Sequence, residues 1–100
     1  MEVNPIIKTI ARVAARSQNC SIKAMTQLNP IGPSLPKEVR MAQGAALYLT
    51  KRYGMKLTDM CDYLNLNYGN ATSVRVRYEQ EATQIEINHL IQSANEQLLL

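Results

Sequence analysis

Apolar residues recur along this chain at spacings of three and four and almost never alternate with polar ones, so the pattern is helical throughout. Asn4-Pro5 opens the first helix, with Asn4 as N-cap and Pro5 at the first helical position. Ile6, Ile10, Val13 and Ala14 then share one face, while Lys8, Arg12 and Arg16 share another. A polar break at Ser17-Gln18-Asn19 precedes a short second helix over Ser21 to Leu28, with Ile22, Met25 and Leu28 inward. Residues Asn29 to Pro36 hold three prolines and Gly32, so no helix passes through them. Pro36 starts a third helix that runs to about Tyr53, with Val39, Ala42, Ala46, Leu47 and Leu49 as apolar positions. Gly44 and Ala45 are small enough to let another helix approach closely, and Gly54 supplies a C-terminal cap. Thr58 can cap a fourth helix whose inward positions are Leu57, Met60, Cys61 and Leu64. Asn70 or Ala71 opens a fifth. Its stripe of Val74, Tyr78, Ala82 and Ile85 continues as Leu90, Ile91, Ala94 and Leu98 in a last helical segment. The predicted fold class is all-α: one domain over residues 1–100, a bundle of five or six helices with a central helix-turn-helix.

That central unit is the most informative stretch. Leu57 to Leu64 reads as a helix, Asn65 to Asn70 as a tight polar turn, and Ala71 to Tyr78 as a second helix. A helix-turn-helix presents the start of its second helix to the DNA major groove. Short polar side chains and an arginine or two suit that place, and Thr72, Ser73, Arg75 and Arg77 supply them.

Charge adds to this picture. The first 77 residues hold all eleven Lys and Arg against four acids, a balance of +7, whereas the last 23 hold four glutamates and no Lys or Arg. A basic body suits a polyanionic partner. With five tyrosines but no Trp or Phe, the core must rest on Ile, Leu, Val, Met and Ala. Cys20 and Cys61 read as two free thiols in a reducing compartment, and no secretory apolar segment opens the chain. The longest apolar run, Ala45 to Leu49, is far short of a membrane span, so a cytoplasmic protein without a membrane partner is expected.

Catalytic chemistry finds little support. His89 is the sole histidine and has no Cys or acid at ligand spacing, while Asp59 and Asp62 read as charged surface positions. The glycines at 32, 44, 54 and 69 are dispersed and form no phosphate-cradling loop. Neither a cofactor nor a metal is expected, nor an enzyme.

The order of these segments resembles the C-terminal DNA-binding domain (domain IV) of the bacterial replication initiator DnaA, in the TrpR/DnaA-like helix-turn-helix superfamily. The resemblance covers nearly the whole chain. Pro5-Ile6-Ile7-Lys8-Thr9-Ile10-Ala11 is similar to that domain's first helix, and Ser21-Ile22-Lys23-Ala24-Met25 to its short second one. Ala46-Leu47-Tyr48-Leu49-Thr50-Lys51-Arg52-Tyr53 resembles its apolar helix ending in a charged pair. Leu57-Thr58-Asp59-Met60-Cys61-Asp62-Tyr63-Leu64 follows the family's Leu-Pro-Glu-Ile-Gly-x-x-Phe motif in shape. The family's signature Gly-Gly-Arg-Asp-His-Thr-Thr-Val falls on Asn67-Tyr68-Gly69-Asn70-Ala71-Thr72-Ser73-Val74, where Thr72, Ser73 and Val74 match in kind and Asn70-Ala71 replaces the Asp-His pair. The family's minor-groove arginine falls near Met41, with Arg40 beside it.

The expectation is a stand-alone, initiator-like protein that binds double-stranded DNA and acts as a small regulator of transcription or replication. Thr72, Ser73 and Arg75 are expected at base edges or the nearest phosphates, and Asn70 at its cap or on adenine. Arg77, Lys37, Arg40, Lys51, Arg52 and Lys56 are expected to grip phosphates. A competing reading pairs Arg75 with Glu79 and Arg77 with Glu81 along a solvated helix. The rival function is a protein-interaction module that mimics the initiator domain and captures a protein partner, helped by the apolar Leu98-Leu99-Leu100 end. Ile87, Ile91, Ala94 and Leu98 form a seam able to pack on the domain or on a second copy, and packing back as a monomer is the favoured outcome.

Overall fold

Asn4 accepts a hydrogen bond from the Ile6 N–H at 2.8 Å and Pro5 follows it, so helix α1 (Pro5–Ser17) begins where the sequence places it. The computed structural model describes residues 4–26 and 36–98, which hold six helices and no strand. Leu28, the loop expected from Asn29 to Pro36 (apart from Pro36 itself) and the Leu99-Leu100 end lie outside the described residues.

The buried face of α1 differs from the expected one. Ile7, Ile10, Ala11, Val13, Ala14 and Ala15 are buried, whereas Ile6 is 42% exposed. The reason is coverage from two sides: α1 packs on both the third and the sixth helix, which widens its buried arc and moves it past Ile6.

Helix α2 (Ile22–Thr26) starts on Ser21, whose hydroxyl accepts from the Ala24 N–H at 3.0 Å, and it sends Met25 fully into the core. Helix α3 (Lys37–Arg52) touches every other helix. Residues Met41 to Leu47 are all buried, as a helix surrounded on every side requires. The one amide in that run is satisfied: Gln43 Nε2 donates to the Met25 carbonyl at 3.0 Å, tying α3 to the end of α2.

Helix α4 (Leu57–Leu64) buries Met60, Cys61 and Leu64. Thr58 does not cap it. Lys56 occupies the cap position with extended backbone, and Leu57 is already helical because it packs against the core, which leaves Thr58 inside the first turn and exposed. Helices α1, α3 and α4 end alike. A left-handed residue, Asn19 (φ 53°), Gly54 (φ 70°) or Asn65 (φ 59°), turns the chain. The next N–H then reaches back to a carbonyl: Cys20 to Ala15 at 2.9 Å, Met55 to Thr50 at 3.0 Å, Leu66 to Cys61 at 2.9 Å.

Helix α5 (Tyr68–Glu81) starts earlier than Asn70 or Ala71 because Asn67 is its cap, accepting from the Gly69 N–H at 2.8 Å. It runs antiparallel to α3, with Val74 and Tyr78 against Gly44 and Glu81 beside Arg40. A β-carbon on Gly44 would lie 2.5 Å from Tyr78 Cβ and 2.9 Å from the Val74 carbonyl oxygen, so the two backbones meet only because none is present. Tyr78 is 2% exposed, and its ring sits 6.1 Å from that of Tyr48 at a tilt of 49°.

The apolar stripe does not run on from α5 as expected. Ala82 adopts extended backbone (ψ 144°) and Thr83 caps helix α6 (Gln84–Leu98), accepting from the Glu86 N–H at 3.1 Å. The restart shifts the helical phase and leaves Ile85 69% exposed. Leu90 and Ala94 are buried, Ile87 and Leu98 pack against the core, and Tyr53 donates its hydroxyl hydrogen to Asn95 Oδ1. The last helix therefore lies back on α1 and α3.

Candidate nucleic-acid interface

Helices α4 and α5 are joined by a turn of three residues, Asn65-Leu66-Asn67. Each has a distinct task. Asn65 takes the left-handed conformation that ends α4, and its side-chain amide donates to the Thr26 carbonyl, pinning the turn to α2. Leu66 packs against the core, and Asn67 caps α5. The start of α5 is thus held from three directions by residues that do not themselves occupy its outer surface.

Along α5 only Ala71 and Tyr78 are buried. Asn70, Thr72 and Ser73 are exposed, and their side chains have no hydrogen-bond partner among the described residues, so their polar groups face solvent ready to pair. Arg75 is not beside them. It lies four residues after Ala71 and three before Tyr78, which puts it on the packed side of the helix. Its side chain is 12% exposed, its Nη1 sits 2.6 Å from Glu79 Oε2, and its Nε is buried without a partner among the described residues. Arg75, expected at base edges or the nearest phosphates, is thus turned toward the packed side and paired along its own helix with Glu79.

The expected phosphate contacts fall into two groups. Lys51 and Arg52 on the last turn of α3, and Lys56 just before α4, are exposed and form no ion pair among the described residues. Antiparallel packing puts the C-terminal end of α3 alongside the start of α5, the end that carries Thr72 and Ser73. Lys37, Arg40 and Arg77 belong instead to the far end. Arg40, 23% exposed, lies 3.5 Å from Glu81, and Arg77 Nε donates to the same carboxylate at 3.2 Å. Arg40 Nη1 is buried and has no hydrogen bond among the described residues, so Arg40, expected to grip phosphates, lies at the α3–α5 contact. Lys37 is exposed, and its charge acts on Glu81 as well. Desolvation pushes the Glu81 carboxyl up, but the Arg77 hydrogen bond and the charges of Arg40, Arg77 and Lys37 outweigh it and hold the group below its ordinary value. Nine residues separate Thr72 from Glu81, about 13 Å along the axis at 1.5 Å per residue, so the two groups serve opposite ends of one helix.

Two residues on the exposed start of α5 went unread in the sequence: Asn67 as its cap, and Tyr68, 58% exposed at the first helical position. Asn followed by a helical pattern was the available signal for the cap; Tyr68 carried none, because Tyr-Gly at a helix start reads as turn. Lys8, Arg12 and Arg16 form the basic face of α1, exposed as expected. Among the described residues no three His, Cys, Asp or Glu side chains gather where they could hold a metal ion, and no helix is long and apolar enough to cross a membrane. Cys20 and Cys61 are free thiols; burial, with Glu38 near the first and Asp62 near the second, pushes both thiols up. No protein-family model matches the chain, and no curated protein or solved structure does.

Proposed function

We propose that this protein binds double-stranded DNA through the start of α5 and acts as a small regulator of transcription or replication, with a fold like that of the initiator's DNA-binding domain. One observation carries the reading. An exposed, polar helix start, held by a three-residue turn, is brought by antiparallel packing to the end of the bundle where α3 finishes with Lys51 and Arg52, which form no ion pair among the described residues. In this reading Thr72, Ser73 and Asn70 meet base edges, Lys51, Arg52 and Lys56 grip phosphates, and Arg77 adds a contact shared with Glu81. The two free cysteines suit the reducing cytoplasm. The apolar face of α6 lies against α1 and α3, which supports a monomer in free solution.

Fluorescence anisotropy on a mixed-sequence duplex tests it. With about four phosphates neutralised, affinity falls roughly a hundredfold between about 50 and 200 mM salt. Failure to bind at about 100 μM protein in low salt, the weak edge of the usual non-specific range, overturns the reading. The specific support for the second reading, a protein-interaction module, is that Glu79 and Glu81 neutralise both arginines of α5. An absence of DNA binding shifts the function to it.

A further inference from the structure

Ile6, Tyr68 and Ile85 are the large apolar side chains left exposed among the described residues, and Tyr68, 58% exposed, belongs to the free end of α5. It does not stand alone. Thr72 and Val76 follow it at steps of four residues, so the aromatic ring, the Thr72 methyl and the Val76 methyls share one row along the helix. With 3.6 residues per turn, Val76 is turned roughly 140–160° away from buried Ala71 and Tyr78. Val74 packs against the core, whereas Val76, only half-buried, takes no part in it among the described residues. Gly69, Ser73 and Arg77, all exposed, form the neighbouring row, one residue further round the helix. The outer face of α5 therefore carries an apolar row and a polar row side by side.

We propose that Tyr68 and Val76, with the Thr72 methyl between them, are specificity residues that lie against the 5-methyl groups of thymines in the major groove. The inference rests on the DNA-binding reading and adds to it two residues and a base preference. Three observations favour this occupant over an apolar protein groove. The row is one residue wide, and a wholly apolar groove laid over it would also desolvate the Ser73 hydroxyl and the Arg77 guanidinium beside it. The thymine methyl is the apolar group that the major groove offers among its hydrogen-bonding edges, so adjacent apolar and polar rows match that surface. The end of α3 that packs beside the start of α5 carries Lys51 and Arg52, exposed and in no ion pair among the described residues, which suits flanking phosphates. From Tyr68 to Val76 the row runs about 12 Å at 1.5 Å per residue, the reach of roughly three to four base steps of about 3.4 Å.

A duplex selected from a random library, and copies in which one thymine at a time is replaced by deoxyuridine, are the probes. Uracil keeps the base pair and its hydrogen-bonding edges and removes only the methyl group. Fluorescence anisotropy is expected to show affinity falling roughly threefold to fivefold at one or two thymines, the weight of one buried methyl group. Where two respond, they should lie within about four consecutive base pairs, the reach of the row. Val76→Thr, which exchanges a methyl for a hydroxyl, and Tyr68→Ala should each abolish the loss at a responding thymine. Tyr68→Phe should retain it, because the ring and not the hydroxyl makes the contact. A selected site without thymine, or one that tolerates uracil at every position, overturns the inference and leaves the DNA-binding reading intact. So does uracil sensitivity that persists unchanged in both Tyr68→Ala and Val76→Thr. A Tyr68→Phe variant that weakens on all sequences alike, with a shallower salt dependence, assigns the phenol to a phosphate and overturns it too. If no duplex is bound at all, the DNA-binding reading and this inference fall together, and the row passes to a protein partner.

Discussion

The two ends of α5 obey different rules. From Val74 to Glu81 the helix is bound into the fold: Gly44 admits its backbone, Tyr78 fills the core, and Arg75, Arg77 and Arg40 are engaged with Glu79 and Glu81. From Tyr68 to Ser73 only Ala71 is buried, and the outward polar groups lack partners among the described residues. Arginines placed where the chain packs serve packing and ion pairing, so the presence of Arg in a recognition helix says less than the face on which it lies. Short side chains at the free end are the groups left to meet a ligand.

Glycine substitutions break this contrast most sharply. Gly44→Ala forces a β-carbon into Tyr78 and the Val74 backbone, and should destabilise by about 1–3 kcal/mol in denaturant titration, as overpacking typically does. At the free end a β-carbon on Gly69 would meet only the Asn67 side-chain oxygen, at 3.2 Å. There a helix-propensity gain of about 0.5–1 kcal/mol offsets a weakened cap, and Gly69→Ala should leave stability nearly unchanged. Equal losses at the two glycines would dissolve the distinction.

Alkaline titration sharpens the same contrast. Tyr78 is raised to about 12 by burial, so its contribution to stability is fully present below the ordinary value of 10.0 and is lost as pH rises from there through about 12. Ultraviolet absorbance should show the last tyrosine ionising together with unfolding. Asn67→Ala comes next, costing about 1 kcal/mol through the lost cap, with amide exchange quickening at Tyr68 to Asn70 and not at Tyr78. The smallest effect is acid. Because Glu81 is held below its ordinary value, its ion pairs stabilise above that value and are lost as pH falls through the lowered one. Glu81→Gln should flatten the acid limb of the unfolding curve.

Helix existence was legible because it depends on local spacing and caps: Asn4-Pro5, the apolar positions of α3 and the Gly54 ending all appear as read. What the sequence hid depended on partners distant in the chain. The choice of Ile7 over Ile6 follows from α1 packing on two helices at once, and exposure of Ile85 follows from the break at Ala82. The same holds for the site. Exposed Thr72, Ser73, Lys51, Arg52 and Lys56 were legible as polar positions on helix ends. The diversion of Arg40 to Glu81 was not, because forty-one residues separate the pair and only the antiparallel contact across Gly44 brings them together.

Binding of a duplex selected from a random library, compared between the wild-type chain and Thr72→Ala/Ser73→Ala, tests the central claim most directly. The account predicts a loss of about 1–3 kcal/mol on the selected duplex for each base contact removed, with an unchanged salt slope and a folding midpoint equivalent to within about 0.5 kcal/mol. Wild-type affinity on the selected duplex in the double variant, with its fold intact, would contradict the assignment of the start of α5 as the surface that reads DNA.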